Sequence, residues 1–173
     1  DIGAEYGYYS ADITRTIPVN GIFSEAQKAI YQIVLDAQQA GIDMAAPGVG
    51  LNELTGKVAE VIKDGLFQLG LITDKNSNWQ YRVWYKHGPC HWLGLDVHDA
   101  GDYKRNTARG RILEPGMVFT VEPGIYIGEN TLENLPKMAK NFGRFRPISI
   151  PMDEVTAFIK AVSPCLLYTS DAA

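Results

Sequence analysis

Residues 24–44, SEAQKAIYQIVLDAQQAGIDM, and residues 52–70, NELTGKVAEVIKDGLFQLG, set the fold class. Ser24-Glu25-Ala26-Gln27 has the capping-box pattern, in which a serine hydroxyl and a glutamine amide satisfy each other's free backbone N–H groups at a helix start. Behind it Ala26, Ile30, Ile33, Val34, Ala37 and Ile42 recur at helical spacing, which predicts a helix of about 20 residues. Pro47-Gly48 ends that run. Asn52 is of a type that caps a second helix, on which Leu54, Val58, Val61, Ile62 and Leu66 form one apolar stripe, and Gly70 supplies the stop.

The flanks read as strands. Toward the N-terminus, 1–6 and 11–18 read as two strands around a Tyr6-Gly7 turn. A two-residue loop there would pair Glu5 with Tyr8 and Asp1 with Asp12. Toward the C-terminus, 117–121 and 125–127 read as strands on either side of Pro123-Gly124. The polar stretches 72–82, 105–110 and 128–145 read as loops or irregular insertions. Strands, two helices, then strands again predict an α+β fold, with helices covering one face of an antiparallel sheet.

Composition narrows the class. The chain has 173 residues, 46 % hydrophobic and 21 % charged, which is globular rather than disordered. Sixteen Lys+Arg against twenty Asp+Glu leave a formal net charge of −4, which argues against nucleic acid or an anionic membrane as the main partner. No apolar run approaches the roughly 18 residues of a membrane span. Of the two cysteines, Cys165 falls in the C-terminal stretch 165–173. Cys90 then stands alone, as suits an intracellular chain without disulfides. A thiolate nucleophile at Cys90 is disfavoured by the acids around it.

Three groups of residues carry chemistry. Asp1 and Asp12, on neighbouring strands, are two carboxylates that a divalent cation would reconcile; solvated strand-edge acids are the plainer alternative. All three histidines, His87, His91 and His98, lie within HGPCHWLGLDVHD, residues 87–99. Such clustering favours metal ligation or proton transfer over three unrelated packing roles, and Asp96 and Asp99 are candidate acceptors that orient imidazoles. Glu122 ends the apolar run Met117 to Val121 just before a Pro-Gly turn, where a strand can deliver a ligand into a cleft.

Three motifs in this order, Asp1-Ile-Gly with Asp12-Ile-Thr-Arg-Thr, His87 to Asp99, and LEPGMVFTVEPGIY at 113–126, resemble the signatures of the Xaa-Pro aminopeptidases. These are pita-bread metallopeptidases related to prolidase and methionine aminopeptidase. The resemblance runs from residue 1 to about residue 127. It implies a partial pita-bread fold, in which helices pack on a curved, mostly antiparallel sheet. It also implies hydrolysis of the N-terminal Xaa-Pro bond by a hydroxide bridging two Mn(II) ions. Asp1, Asp12, His91 and Glu122 match four of the five metal ligands, with Asp12 bridging. His98 matches the histidine that contacts substrate or shuttles protons, and His87 the one that opens the histidine-rich loop and shapes the pocket. Substrates would be peptides with proline at position 2, and the full-length enzyme would be a homo-oligomer.

The pattern departs toward the C-terminus. Where the family has Gly-x-Arg-x-Glu-Asp, this chain reads Ser149-Ile-Pro151-Met-Asp153-Glu154. The fifth ligand would therefore be Asp153, one methylene shorter than glutamate, or Glu154 after a one-residue shift, or it is lost. The segment from Cys165 to Ala173 resembles a translated sequencing-library adapter, so residues 1–164 are expected to form a partial catalytic domain and 165–173 to lie outside it. The chain opens on Asp1 at the first ligand strand, and a chain lacking the family's preceding elements is expected to be poorly soluble and inactive alone. The compartment expected is the cytoplasm, with mitochondria the alternative. Two competing functions remain: a prolidase cleaving Xaa-Pro dipeptides, and a metal-free pita-bread binding module.

Overall fold

The computed structural model describes residues 1–104, 106–128 and Thr131. Asp153, its alternative Glu154, and the 165–173 tail lie outside the described residues.

The chain begins with a hairpin of β1 (Glu5–Tyr6) and β2 (Tyr9–Ser10). Glu5 pairs with Ser10 and Tyr6 with Tyr9, so the turn falls on Gly7-Tyr8, not on Tyr6-Gly7. Both turn residues are left-handed (φ 58° and 69°), as the favoured two-residue hairpin turn requires. The same register continues through a 2.8 Å bond from the Ala11 N–H to Ala4 and the Ile2–Ile13 bridge. Asp1 therefore faces Thr14 and is diagonal to Asp12, not opposite it. The physical reason is the turn: a two-residue loop of this kind needs two adjacent left-handed residues, and these are Gly7 and Tyr8 rather than Tyr6 and Gly7. In the resulting register the Thr14 hydroxyl donates a 2.7 Å hydrogen bond to Asp1.

Helix α1 (Glu25–Met44) starts as its capping box predicts: Ser24 Oγ accepts from the Gln27 N–H at 3.2 Å, and Gln27 Oε1 accepts from the Ser24 N–H at 2.9 Å. Ile30 and Ala37 are buried, while Ile42, expected on the same face, is exposed. Helix α2 (Leu51–Gln68) is capped at Gly50, not at Asn52. Its first-turn Glu53 accepts from the Gly50 N–H at 2.7 Å. The free N–H groups of Leu51 and Asn52 donate to the carbonyls of Arg111 and Arg109 at 2.8 and 3.0 Å. A loop more than fifty residues away thus completes the cap, and Arg109 clamps it with two bonds to the Glu53 carboxylate at 2.9 and 3.0 Å. That guanidinium holds the Glu53 carboxyl below its ordinary range. The close is the one expected. Gly70 is left-handed (φ 70°), its N–H bonds Phe67, and the Leu71 N–H reaches back to Leu66, which is a Schellman ending.

The two helices pack closely because glycines stand at the contact. A Cβ on Gly65 would strike the Ile33 side chain, and one on Gly41 would strike Val58 and Val121. Leu54, Val58, Ile62 and Leu66 have no solvent exposure and form the core with Leu71, Val83 and Trp84; Val61 sits at its margin. Burying one such leucine or isoleucine contributes about 1.5–3 kcal/mol. A single 3₁₀ turn, Gln80–Val83, interrupts the stretch read as loop and seats Trp84, whose indole N–H donates to the Leu71 carbonyl at 3.1 Å.

Over this core, residues 118–122 run antiparallel to 89–93. Leu93 donates to Val118 at 3.2 Å, Thr120 to His91 at 2.9 Å and Glu122 to Pro89 at 2.7 Å, around a Trp92–Phe119 bridge. The strand expected at 117–121 is therefore present as a broken ladder of single bonds: Pro89 has no N–H to return, the His91 N–H goes to the Thr120 side chain, and the Val118 N–H makes no bond to Leu93. Residues 125–127 form no strand, though Tyr126 donates to Trp84 at 2.8 Å. Among the described residues, no helix is long and apolar enough to cross a membrane.

Candidate metal centre

Three separate elements deliver side chains to one point: Asp12 follows β2, and His91 and Glu122 sit on the two limbs of the broken ladder. His91 Nε2 lies 3.1 Å from Asp12 Oδ2 and 2.8 Å from Glu122 Oε1. One ligand atom from each residue falls within 4.8 Å of the other two. Two carboxylate oxygens at that spacing repel by roughly 3 kcal/mol at an effective dielectric of about 20.

The imidazole's orientation sharpens the point. His91 Nδ1 is 2.9 Å from the Trp92 carbonyl, which can only accept. Nδ1 therefore carries a proton, and Nε2 is the ring atom turned toward the two carboxylate oxygens. Only a positive charge there, a proton or a bound cation, makes the arrangement favourable. Two carboxylates and an imidazole whose other nitrogen is tied to a carbonyl suit a divalent cation such as Mn(II) or Zn(II). By donor chemistry the residues fit a metal.

The neighbours complete the picture. His98, exposed, sets its ring edge-on to His91 with centroids 4.4 Å apart. The loop carrying it is tied to the Asp12 strand, since the Ser10 N–H donates to the Gly94 carbonyl at 2.8 Å and the Ser10 hydroxyl to Leu95 at 3.3 Å. His87 stands apart from the trio. Its Nδ1 faces the Gly88 carbonyl at 2.8 Å, and its Nε2 shares a 2.6 Å hydrogen bond with the Tyr126 hydroxyl. Asp1 is exposed, lies on the Asp12 face of the hairpin, and accepts from Thr14. Asp99, a candidate orienter of imidazole, instead accepts from the Ala100 N–H at 2.9 Å and packs its carboxylate on Gly94. The Trp92 carbonyl does that work for His91. Burial, then the charge of Glu122, pushes the Cys90 thiol up to about 12, so it stays protonated and unreactive near neutral pH.

Two contributors escaped the motif reading. Gln38 of α1 donates to the Val121 carbonyl, and Thr120, at 8 % exposure, bonds both His91 and Glu122. Thr120 stands inside the TVEPG run, so its place next to Glu122 was visible; its contact with His91 was not.

Residues 1–148 match the profile of metallopeptidase family M24, and the chain belongs to that family. The relatives it resembles are Xaa-Pro aminopeptidases. That of Escherichia coli (strain K12) is 44 % identical over 147 residues, 83 % of this chain and 32 % of the relative. That of Haemophilus influenzae is 46 % identical over 147 residues, 83 % of this chain and 33 % of the relative. Among solved structures, zinc-substituted E. coli aminopeptidase P in complex with product superposes with a TM-score of 0.69 at 46 % identity, covering 73 % of this chain and 29 % of that one. Proline aminopeptidase P II from Yersinia pestis gives 0.66 at 48 %, covering 71 % and 29 %. The chain spans about a third of the length of the curated relatives it matches. These neighbours have the pita-bread fold, of which the described residues show helices and a small two-stranded antiparallel sheet.

Proposed function

We propose that this chain carries metal-holding residues of a metallo-aminopeptidase that hydrolyses the N-terminal Xaa-Pro bond of peptides. The observation that supports it is the meeting of Asp12, His91 and Glu122 at one point, in a chain of the M24 family. Asp12, His91 and Glu122 would hold divalent cation, joined by Asp1 from the same face of the hairpin and by Asp153. Two Mn(II) ions are the proposed complement. When bound, such a pair supplies a hydroxide nucleophile at neutral pH and polarises the scissile carbonyl.

The chain's own groups do the rest. His98, exposed and edge-on to His91, holds a proton for the proline nitrogen, which leaves as a secondary amine and needs one. His87, fixed by the Tyr126 hydroxyl, forms pocket wall for a peptide with proline in second place. The accompanying fold is a curved, mostly antiparallel sheet covered by α1 and α2, in a homo-oligomer, with residues 1–164 as its domain portion and 165–173 outside it.

The test uses the complete product of the source gene. After Mn(II) loading, metal is counted by mass spectrometry, and hydrolysis of an Xaa-Pro-Yaa tripeptide is compared with that of the Xaa-Pro dipeptide. Bound metal, preference for the tripeptide, and loss of both in His91→Gln are expected. Preference for the dipeptide would make it a prolidase. A protein that takes up no metal and cleaves neither substrate would be a binding module, and the proposal would fall.

A further inference from the structure

We propose that Thr120 is a positioning residue that locks His91 and Glu122 into one cation-binding geometry, an inference that rests on the metallopeptidase reading above. Its Oγ1 accepts the His91 backbone N–H at 3.1 Å and donates to Glu122 Oε1 at 3.0 Å. The direction of both bonds is forced, because a backbone amide can only donate and a carboxylate can only accept. One hydroxyl rotor satisfies both partners at once. The oxygen it holds, Oε1, is the same one that lies 2.8 Å from His91 Nε2.

The backbone shows what the hydroxyl replaces. In a regular antiparallel ladder every second opposed pair exchanges two bonds, and His91–Thr120 stands at such a place. Here Thr120 gives its N–H to the His91 carbonyl at 2.9 Å, but the return bond from the His91 N–H goes to the hydroxyl. Each of the pairs Leu93–Val118, His91–Thr120 and Pro89–Glu122 keeps a single backbone bond, and at the pair that carries His91 the threonine side chain supplies the second. Threonine suits this place because branching at Cβ restricts χ1. At 8 % exposure Thr120 as a residue is buried, which limits competition from water. Without it the Glu122 carboxylate keeps its charge but loses the donor that aims it.

The test compares Thr120→Val, which keeps the shape and removes the hydroxyl, with Thr120→Ser, which keeps the hydroxyl. Both are made in the full chain, with folding checked by circular dichroism. Mn(II) affinity is read by calorimetry and site geometry by the visible absorption of bound Co(II). Thr120→Val is expected to bind Mn(II) about 10- to 100-fold more weakly with a changed Co(II) band, and Thr120→Ser to stay within about threefold of the parent. Should Thr120→Val not fold, Thr120→Cys, of similar size with a weak S–H donor, must show the loss instead. Parent-like affinity and spectrum in Thr120→Val or its Cys substitute, or a Thr120→Ser as weak as Thr120→Val, would overturn the inference while leaving the metal site intact. A parent chain that binds no Mn(II) would overturn the metallopeptidase reading and this inference with it.

Discussion

The side-chain amide of Gln38, midway along α1, donates a 2.9 Å hydrogen bond to the backbone carbonyl of Val121, the residue before Glu122. Through this contact the helix layer sets the height of the segment that carries the carboxylate. Gly41, one turn further along α1, allows the approach, since a Cβ there would meet the Val121 side chain. Replacing Gln38 by Leu leaves a part-buried carbonyl without its donor. The expected cost is about 1 kcal/mol, read as a lower urea midpoint at unchanged slope. An unchanged midpoint would show that water serves the carbonyl equally well.

Gly65 stands where α2 meets α1. A Cβ at this position would lie 2.5–2.7 Å from three atoms of Ile33. Alanine is the better helix former by about 1 kcal/mol, so propensity alone would make Gly65→Ala stabilising. Overpacking is expected to outweigh that, for a net loss of about 1–2 kcal/mol. Adding Ile33→Ala should then cost less than the sum of the two single changes by at least about 1 kcal/mol, measured as a double-mutant cycle in denaturant. Strict additivity would mean that the helices shift apart freely.

Tyr8 is a non-glycine residue with φ 69°, and its side chain is 80 % exposed. Little packing is lost on removing the ring, whereas the left-handed conformation costs an L-residue about 1–2 kcal/mol. Glycine regains most of this, less its own entropy, so Tyr8→Gly is expected to stabilise the hairpin by about 0.5–1 kcal/mol. Slower amide exchange at Ile2 and Ile13, which bond each other across the hairpin at 2.9 and 3.1 Å, is the readout. Tyr8→Pro, locked at negative φ, should act in the opposite sense.

Cys90 offers a pH test. Burial raises the thiol from an ordinary 9.0 to about 12, so the folded chain holds this proton where the unfolded chain releases it. The contribution to stability is complete below the unfolded value of about 9 and is lost progressively as pH rises from there toward 12. At pH 8 the folded chain holds Cys90 almost wholly as the thiol, so its alkylation by iodoacetamide, followed by peptide mapping, should be at least about tenfold slower than after denaturant is added. Rapid native labelling would mean that the thiol is open to solvent.

What the sequence determined by itself was whatever depends on residues a few positions apart. The capping box at Ser24 and Gln27, the spacing of Leu54, Val58, Ile62 and Leu66, and the Gly70 stop act within one or two helical turns. The local pattern is therefore the physical cause, and α1 and α2 followed from it. The chemical types of the site, Asp12, His91 and Glu122, were legible for a similar reason, because side-chain chemistry is written in each residue. The tertiary structure alone decided what distant groups supply. The hairpin register turned on which two residues became left-handed, Gly7 and Tyr8, and so set Thr14 rather than Asp12 opposite Asp1. The start of α2 moved to Gly50 because the carbonyls of Arg109 and Arg111 serve its first N–H groups. The aim of His91 depends on the Trp92 carbonyl, and its meeting with Asp12 spans 79 residues of chain. Such bonds exist only once the chain is folded, since each partner's position is set by packing rather than by its neighbours in sequence.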